Sequence, residues 1–587
     1  MALFPQRSVE VSPELRRLFG GLPSSPSAPL SVILAHDEIT PGAVLRPDNA
    51  RKFVSFYFSF CEFGDVSIRY ELGWFHLAVL RSSVIDKVDG GMSAALRHLL
   101  RALLMDAGSL SGGVVLPLES GPTMLFARLK NHLGDEAALS HGLSSKTASG
   151  LRPCIKCANV LKKHSGLAAR RPGLVEINCT DLDLLVPSSD SDIWQSYDRL
   201  VGMVGTVTKT ELEKQQMAAG GSINSGGVLA DIDLRRHFKP ASSLTYDWQH
   251  TYLCNGIAGD ELHNVFGVCR KAGLTNIYSL LEQYCAADWS FPLQHRGHCK
   301  ALHQVFNKTR EKASSDHWKA SASELLGVYP LVRRFAESVV LPRFPHLASQ
   351  VQSLLLCFHT LDLLQDSKGG VSDNDLLKRA VQTHLQKHKL EYGEENWRPK
   401  LHYGLHIPEQ VRRDGRLYDC FVVERSHQLP RLLAGAVKKT SSFERSVIAR
   451  SLLVRLRDLE TWSPKNGLQG SAQEFPELAL QLGLPDLQIS ASAVFCGMQH
   501  GANDFVLVGD HVLSFVAAVR GGERLGVLGH VCNLALRHSR TAAEWQVQKQ
   551  LSLLWVDDQR VRCPAAWNFL SSGNVLLLLP DLGGLQA

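Results

Sequence analysis

The order of short apolar runs in the first 135 residues is the feature that most constrains the fold. Three β-type runs come first, a helical pattern follows, and a fourth β-type run closes the series. The runs are Ser31–Ala35, Phe53–Phe60 and Trp74–Leu80, then the helical Met92–Leu104, then Thr123–Leu133. In the helical stretch the leucines recur at spacings of three and four, so they share one face. A helix between two strands favours a parallel crossover, which predicts an α/β domain.

Two aspartates stand where the first and fourth runs end. Asp37 follows the first run and Asp135 follows the fourth. In the RNase H-like fold, three antiparallel strands precede a helix and a parallel fourth strand, and the first two catalytic carboxylates lie on strands one and four. The order of runs therefore predicts an RNase H-like core with Asp37 and Asp135 in those positions. Glu38 is an alternative first carboxylate, and Asp135 before Glu136 also suits a helix N-cap.

The rest of the chain divides by composition. With roughly 100–200 residues per domain, a chain of 587 residues allows three or four units. Five segments are predicted: a flexible N-terminal tail (1–30), the first part of the core (31–190, with a further strand at Val175–Asn178), a mostly α-helical insertion (191–395), a return to the core (396–465), and a small β-rich C-terminal domain (466–587). The predicted fold is an α/β RNase H-like catalytic core interrupted by a large helical insertion.

Composition sets broad limits on the class of protein. A hydrophobic fraction of 44% and a charged fraction of 20% are ordinary for a globular chain. The 13 cysteines form no compact framework, which favours a reducing compartment. Met1–Glu10 has no apolar core of the kind found in signal peptides, and no apolar run reaches the length of a membrane span, so no membrane association is expected. The net charge of +6 is compatible with nucleic acid without arguing for it.

Four short blocks, in a fixed order, carry a family resemblance. They are Leu34–Gly42 with Arg51, Lys52 and the run Phe53–Phe60; Leu129–Glu136 followed by Arg152–Cys157; Tyr246–His250; and Lys400–His406 followed by Asp414, Gly415 and Phe421–His427. Together they resemble eukaryotic DDE transposases of the Plavaka and Kyakuja–Dileera–Zisupton kind, which are relatives of the CACTA group. The resemblance covers about residues 34–450 and leaves the tail and the C-terminal part outside it.

The resemblance implies a site and an activity. Asp37, Asp135 and Glu424 match the family's catalytic triad and would hold two Mg²⁺ or Mn²⁺ ions. The implied reaction is metal-dependent phosphodiester cleavage and strand transfer, with transposon ends and target DNA as partners, in the nucleus, by a homo-oligomer. Three other glutamates are alternative candidates for the third carboxylate: Glu324, Glu409 and Glu444. No DNA-binding module is recognisable before residue 31, which keeps open a transposase-derived DNA-binding protein without chemistry.

A Cys-x-x-Cys pair predicts a candidate zinc site. Cys154 and Cys157 have the spacing of a metal knuckle, although about 0.3 such pairs are expected by chance at this cysteine content. A tetrahedral Zn²⁺ site needs two further ligands. His250 and Cys254, one helical turn apart, are the best candidates, and Cys179 is another. The alternative is a pair of buried thiols without metal.

The spacing of the histidines is weaker evidence for a metal site than the cysteine pair. His402–His406 and His384–His388 both read His-x-x-x-His, and about one such pair is expected by chance among 24 histidines. No His-Glu-x-x-His is present, so a metalloprotease is excluded. The chain also lacks a P-loop, a kinase motif set and a dinucleotide-binding fingerprint, so nothing supports nucleotide hydrolysis.

Basic residues near Glu424 are candidate DNA contacts. They are Arg412, Arg413, Arg425, Lys438 and Lys439. Cationic side chains beside a carboxylate site can hold phosphates. The alternative is a solvated face with interleaved acids such as Asp414 and Asp419. A third hypothesis, a scaffold or interaction protein, predicts neither DNA binding nor metal dependence.

Overall fold

The computed structural model divides the chain into two compact units. It describes residues 3–43, 46–299, 301–313, 317–370, 373–437, 439–463, 466–474, 476, 479–480, 483–484, 486–495, 498–556 and 561–581. The first unit comprises Met1–Gln249, Trp397–Gln410 and Tyr418–Pro464, and the second comprises His250–Asn396, Val411–Leu417 and Lys465–Ala587. Both α-helices and β-strands are abundant, so the chain is mixed α/β.

A five-stranded sheet forms the centre of the first unit. Its strands are β1 (Leu30–Ile39), β2 (Phe53–Phe60), β3 (Phe75–Arg81), β4 (Ala127–Gly134) and β5 (Leu244–Tyr246), in the order β5-β4-β1-β2-β3. The β1–β2 and β2–β3 pairs are antiparallel, whereas β4 runs parallel to both β1 and β5. Every residue of β2 is buried, which matches its run of aromatic and β-branched side chains.

Helices surround this sheet. They are, in chain order, Leu3–Val11, Pro13–Gly20, Gly64–Ile68, Ser82–Ile85, Gly91–Leu104, Glu136–Leu143, Asp190–Gly202, Lys209–Ala219, Pro399–Gly404, Phe421–Ser426, Gln428–Ala436 and Phe443–Leu459; Ile407–Asp414 spans the boundary at Gln410. Three small two-stranded sheets pair Gly42–Ala43 with Arg46–Pro47, Val114–Leu118 with Gly121–Leu125, and Val160–Leu161 with Val175–Glu176.

Two strand assignments differ from the sequence-based prediction. The run Thr123–Leu133 is divided at Phe126: Gly121–Leu125 joins a hairpin, and only the part from Ala127 enters the sheet. The fifth strand is Leu244–Tyr246, within the stretch predicted to be a helical insertion, whereas Val175–Glu176 lies in a separate small sheet. A strand of three residues carries too little periodic pattern to be recognised, and pairing with β4 is what defines it.

The predicted N-terminal tail instead contains two helices. Ser12 caps the second, its hydroxyl accepting a hydrogen bond from the Leu15 amide, and Pro13 occupies the first turn. Phe19 is buried with its ring edge-on to Phe60 and Phe63, at centroid distances of 5.5 and 5.1 Å. The composition of the tail, Pro- and Ser-rich near Pro23–Pro29, does not indicate these helices.

Two helices from the late segment cover one face of the sheet. Val422 and Val423 of the Phe421–Ser426 helix pack on Ile33, Ala35 and Leu133 in one buried cluster. Next to it, Phe443 and Val447 of the Phe443–Leu459 helix pack on the strand side chains Phe53 and Val79. Residues more than 350 positions apart in sequence thus share one core, which fixes the late segment on the sheet.

The second unit combines helices with an antiparallel sheet. Its helices are Ile257–Lys271, Ile277–Cys285, Arg296–Cys299, Lys308–Ala313, Ala322–Phe335, Leu341–Arg343, Ala348–Asp366 and Asn374–Tyr392. Its strands are Gly467–Gln469, Gln473–Glu474, Gln488–Ser490, Ser492–Phe495, Met498–Gly501, Phe505–Val508, His511–Gly521, Arg524–Arg537, Ala542–Trp555, Val561–Arg562, Ala566–Phe569 and Val575–Leu578, arranged as nine- and three-stranded sheets. The β-rich character predicted for the C-terminal part is confirmed. It clusters with the helices of residues 250–396 instead of standing as a separate domain.

A buried ion pair ties the helices of the second unit to its last strand. Arg333 and Asp362 are almost fully buried, with a guanidinium nitrogen 2.7 Å from a carboxylate oxygen. The Tyr329 hydroxyl and the Asp581 amide also donate to Asp362, at 2.6 and 2.8 Å. By length and composition Pro345–Asp366 is apolar enough to cross a membrane. However, 61% of its 18-residue apolar stretch is buried inside the fold, as in the core helix of a globular unit.

The N-terminal helices supply the first testable expectation. Phe19→Ala removes a buried ring and should lower the free energy of unfolding by about 3–5 kcal/mol, because a cavity remains between Phe60 and Phe63. Phe569→Ala is the matched control, since its ring is 63% exposed. Urea denaturation of the full chain measures both. Equal and small effects of the two substitutions would show that residues 3–20 do not pack on the sheet.

Candidate functional site

Three aspartates lie near the carboxyl ends of the three parallel strands, Asp37 within β1 and the other two directly after β4 and β5. The register aligns Ala35 of β1, Leu133 of β4 and Thr245 of β5, and Asp37, Asp135 and Asp247 each come two residues later. The Asp247 amide also donates to the Gly134 carbonyl, at 3.1 Å. Neighbouring parallel strands lie about 4.8 Å apart, so the three residues stand side by side at one edge of the sheet. Asp37 and Asp135 therefore lie on adjacent strands, as the run order predicts.

The first carboxylate is distinguished from its neighbour by strand alternation. Asp37 has the parity of Ala35, whose face is covered by the Phe421–Ser426 helix. Glu38 points to the other face, where it pairs with Lys52 at 2.6 Å and accepts the Ser82 hydroxyl at 2.6 Å. The Asp37 side chain keeps 35% of its surface exposed and lies 3.9 Å from Nδ1 of His427. Asp37, on the face that the Phe421–Ser426 helix covers, is thus the better candidate.

Asp135 serves as a helix cap at the end of β4. Its Oδ1 accepts the Ala138 amide at 2.7 Å, which is the N-cap arrangement for the Glu136–Leu143 helix. The cap uses one of the two carboxylate oxygens. Strand end and helix start coincide here, so the N-cap interpretation and the candidate catalytic position describe the same residue.

Glu424 lies on the Phe421–Ser426 helix, which covers the sheet face to which Asp37 belongs. The Cys420 thiol is buried, and its pKa is raised first by burial and then by the charges of Asp247, Asp37 and Glu424. Asp419 acts in the same direction, so Cys420 lies near several acidic side chains, Glu424 among them. Among the competitors, Glu444 pairs with Arg81 at 2.7 Å and Glu324 pairs with Arg310 at 2.9 Å in the second unit.

Asp247 is a residue that sequence reasoning did not assign to the site. It is 1% exposed, and its Oδ1 accepts the amides of Cys420 and Gln249, each at 3.1 Å. The signal that could have found it is its position directly after a short β-type run, the same as that of Asp37 and Asp135. We name Asp37, Asp135, Asp247 and Glu424 the carboxylate cluster.

Two cysteines and two histidines form a second group in the first unit. Cys154 and Cys157 lie in the loop after the Glu136–Leu143 helix, and His402 lies in the Pro399–Gly404 helix with His406 one turn later. The Cys154 sulfur is 3.2 Å from His406 Nε2, and the Cys157 sulfur is 3.5 Å from His402 Nε2. All four are buried, and one ligand atom of each lies within 4.8 Å of the others. This Cys/His group can hold a metal ion.

The partners of the cysteine pair differ from the sequence-based prediction. His402 and His406 join it, in place of the predicted His250 and Cys254, which belong to the second unit. Cys179 is partly exposed, and its thiol donates to the Asp181 carbonyl at 3.6 Å. The His402–His406 spacing, which chance alone could explain, therefore belongs to a pair of histidines that lies beside the two cysteines. The sequence separation of 245 residues between Cys157 and His402 hid it, because spacing alone cannot report a contact that depends on the whole fold.

The environment of the Cys/His group favours ionisation of one thiol. Burial opposes ionisation of Cys154, yet the hydrogen bond with Cys157 and the neighbouring His406 and His402 hold the pKa of its thiol well below its usual range. The hydrogen bond with Cys154, together with burial, raises the pKa of Cys157. Burial lowers the pKa of His406, which favours the neutral imidazole. A thiolate and a neutral imidazole are the forms that bind metal ions.

Tyrosines connect the Cys/His group to the residue after Asp135. The Tyr403 hydroxyl donates to Glu136 at 2.9 Å and to the Pro153 carbonyl at 3.0 Å. Its ring stacks on Tyr246 of β5, with centroids 4.7 Å apart. The Cys/His group and the carboxylate cluster therefore draw residues from the same short segments, although the two groups offer different ligand atoms.

Most of the candidate DNA contacts are paired within the protein. Arg425 bonds Glu71 at 2.8 Å, with both side chains well exposed. In the second unit, Arg412 pairs with Asp375 and Arg413 with Asp414, each at 2.7 Å. Lys439 is exposed, and Lys438 lies outside the described residues. Exposed ion pairs such as Arg425–Glu71 and Arg412–Asp375 contribute little stability.

Comparison with known proteins assigns no family. No protein-family model matches the chain, and no curated protein matches it. The carboxylate cluster and the Cys/His group are therefore the features from which a function is inferred.

The burial of Asp247 leads to a stability prediction. Asp247→Ala leaves two buried amides without their acceptor and should lower the free energy of unfolding by about 1–3 kcal/mol. Asp247→Asn keeps an acceptor oxygen and should cost less. Asp37→Ala, at a partly exposed carboxylate, serves as the control in the same urea titration. If Asp247→Ala is no more destabilising than Asp37→Ala, the carboxylate does not hold the Cys420 segment.

Proposed function

We propose that the first unit is an RNase H-like catalytic domain of the DDE transposase type, which cleaves DNA phosphodiester bonds and transfers strands with divalent metal ions. The observation that carries the proposal is the carboxylate cluster. Asp37 lies near the end of β1, Asp135 follows the adjacent parallel strand β4, and Glu424 lies on a helix packed against the same sheet face. Acidic residues from distant parts of the sequence on one side of a sheet support metal-dependent phosphoryl transfer, which uses such carboxylates to hold its ions.

The sheet supports the proposed fold. Three antiparallel strands, a helix and a parallel fourth strand occur in the order that the RNase H-like fold has, with β5 added beside β4. The segment from His250 to Asn396 would be the helical insertion before the glutamate helix. It begins later than the composition of the sequence predicts, because residues up to Gln249 belong to the first unit.

The donor atoms of the carboxylate cluster suit hard divalent cations. Mg²⁺ and Mn²⁺ prefer oxygen ligands, and Asp37, Asp135 and Glu424 offer carboxylate oxygens, that of Asp37 partly open to solvent. When bound, two such ions supply Lewis-acid activation of the attacking oxygen and stabilisation of the leaving 3′ oxygen. The protein's own part is to hold the carboxylates in place.

Neighbouring residues hold the carboxylates of the cluster in position. The Ala138 amide orients Asp135 through the helix cap. His427 lies beside Asp37, and Asp247 fixes the start of the glutamate helix through the Cys420 amide. In this arrangement Asp247 is a positioning residue. Its carboxylate accepts the Cys420 amide, and this hydrogen bond sets the height of Glu424 above the sheet.

DNA is the proposed partner. Arg425 and Lys439 belong to the same unit as the carboxylate cluster and are candidates for phosphate contacts. A nuclear location and a homo-oligomeric state, with transposon ends and target DNA as substrates, remain expectations that go with the proposed activity.

The Cys/His group is proposed to hold a structural Zn²⁺ ion. Two thiolates and two imidazoles are a complete tetrahedral ligand set, and full burial leaves no open position for a substrate. The ion would join the Cys154–Cys157 loop to the helix that follows the second unit's long segment. Its proposed role is to hold the late segment against the sheet, near Glu136.

Cleavage assays test the proposed activity. The purified full chain should nick supercoiled DNA in the presence of Mn²⁺ or Mg²⁺ and not in EDTA. Asp37→Asn, Asp135→Asn and Glu424→Gln should each lower the rate by about 100-fold or more, since each removes a negative charge that would hold the metal ions. Glu38→Gln is the matched control, because it changes a neighbouring carboxylate on the opposite face.

The outcomes separate the candidate functions. Absence of metal-dependent cleavage, or equal cleavage by the wild type and Asp135→Asn, contradicts the proposal. Salt-sensitive DNA binding that survives loss of the carboxylates, without cleavage, would favour a transposase-derived binding protein. Neither binding nor cleavage would favour the scaffold hypothesis.

Metal analysis tests the zinc proposal. The double variants C154S/C157S and H402Q/H406Q should each lose one equivalent of zinc relative to the wild type and unfold at a lower temperature. His250→Gln and Cys254→Ser are the comparison variants and should retain the zinc of the Cys/His group, since His402 and His406 lie beside its two cysteines. Zinc loss in the controls but not in H402Q/H406Q would overturn the ligand assignment.

A further inference from the structure

A third group of metal-ligating side chains lies among the helices of the second unit. Glu261 projects from the Ile257–Lys271 helix, and His384 and His388 project from the Asn374–Tyr392 helix. All three side chains have no exposed surface. The two histidines are four residues apart, so they share one face of their helix. We name these residues the Glu/His group; neither the resemblance nor the proposed transposase activity uses it.

The donor atoms converge on one oxygen. Oε2 of Glu261 is 2.5 Å from Nδ1 of His388 and 3.4 Å from Nε2 of His384. One ligand atom of each residue lies within 4.8 Å of the other two. Nitrogen and oxygen ligands about 2.0–2.1 Å from a tetrahedral zinc ion are roughly 3.3 Å from one another, so small shifts of these side chains suffice to accommodate an ion.

Buried polar atoms around the group remain without hydrogen bonds. In the part of the chain that the structure describes, Oε1 of Glu261, Nδ1 of His384 and Nε2 of His388 are buried and have no hydrogen-bond partner. Within these described residues Glu261 forms ion pairs with the two histidines, and no lysine or arginine joins them. A buried carboxylate needs a compensating positive charge, and a metal cation held by the two imidazoles provides one.

We propose that Glu261, His384 and His388 bind a divalent transition-metal ion, with Zn²⁺ as the best match. Two imidazoles with one carboxylate suit zinc and its neighbours in the transition series, whereas Mg²⁺ and Ca²⁺ prefer sites made of oxygen alone. The site is structural, because full burial denies access to a substrate. The bound ion cross-links two helices whose ligands are 123 and 127 residues apart in sequence.

The zinc content and sulfur coordination of the wild type test the proposal without any substitution. The full chain, purified in the presence of zinc, should carry two equivalents if both proposed zinc sites fill. X-ray absorption at the zinc edge should then give about one sulfur per zinc, since of these two sites the Cys/His group has thiolates and the Glu/His group has none, and sulfur ligands lie at a longer distance than nitrogen or oxygen. One equivalent with about two sulfurs per zinc overturns the proposal. One equivalent without sulfur supports it and contradicts the Cys/His site instead.

Substitutions then assign the second equivalent. H384Q/H388Q and Glu261→Gln should each lose one equivalent of zinc and leave the sulfur-coordinated ion in place. His346→Gln removes an exposed histidine of the same unit and is the control that should keep both. In C154S/C157S, which leaves the Glu/His group intact, added Zn²⁺ should still raise the unfolding temperature. Two retained equivalents in H384Q/H388Q would mean that the group is a metal-free ion pair.

Discussion

The parallel pairing of β1 with β4 is the interaction on which the first unit depends. It places the centre of the sheet between two strands that begin almost a hundred residues apart, and the helix Gly91–Leu104 occupies part of the crossover between them. Because parallel strands end at the same edge, the pairing alone sets Asp37 beside Asp135. The late helices then bury the apolar residues of that face, and Glu424 belongs to one of these helices. A sheet with a different order would separate these carboxylates, whatever their local sequence.

The Cys/His group shows how a distant segment is fixed to this frame. Its cysteines come from a loop that follows β4, and its histidines come from a segment that follows the second unit's long helical stretch. Tyr403, between the two histidines in sequence, reaches Glu136 and the Pro153 carbonyl. The same few residues thus hold the metal-binding side chains and the first turn of the helix that Asp135 caps. Loss of this link would disturb the strand end as well as the thiols.

The sequence predicts what depends on local pattern and misses what depends on contact. Alternating and leucine-spaced runs locate β1, β2, β3 and the crossover helix, and the strand ends indicate Asp37 and Asp135. The three-residue β5 has no periodicity to read, so Asp247 is not recognised although it follows the same rule. Histidine pairs at a spacing of four residues are expected by chance, and only the fold shows that both face other ligand-type side chains. The helix cap at Ser12 is seen in the structure, whereas the Pro- and Ser-rich composition of residues 1–30 predicts a flexible tail.

Asp362 has a consequence for the order in which the protein can be assembled during synthesis. Its carboxylate is shared by Arg333, by Tyr329 and by the amide of Asp581, which lies 219 residues further along the chain. A ribosome that has released the helices of the second unit has not yet made the strands that complete their core. A charged pair would meanwhile lack one of its buried partners, and apolar helix faces would stay open to solvent. Native contacts of such long range are slow to form, so the second unit is expected to mature late and to rely most on protection from aggregation while it waits.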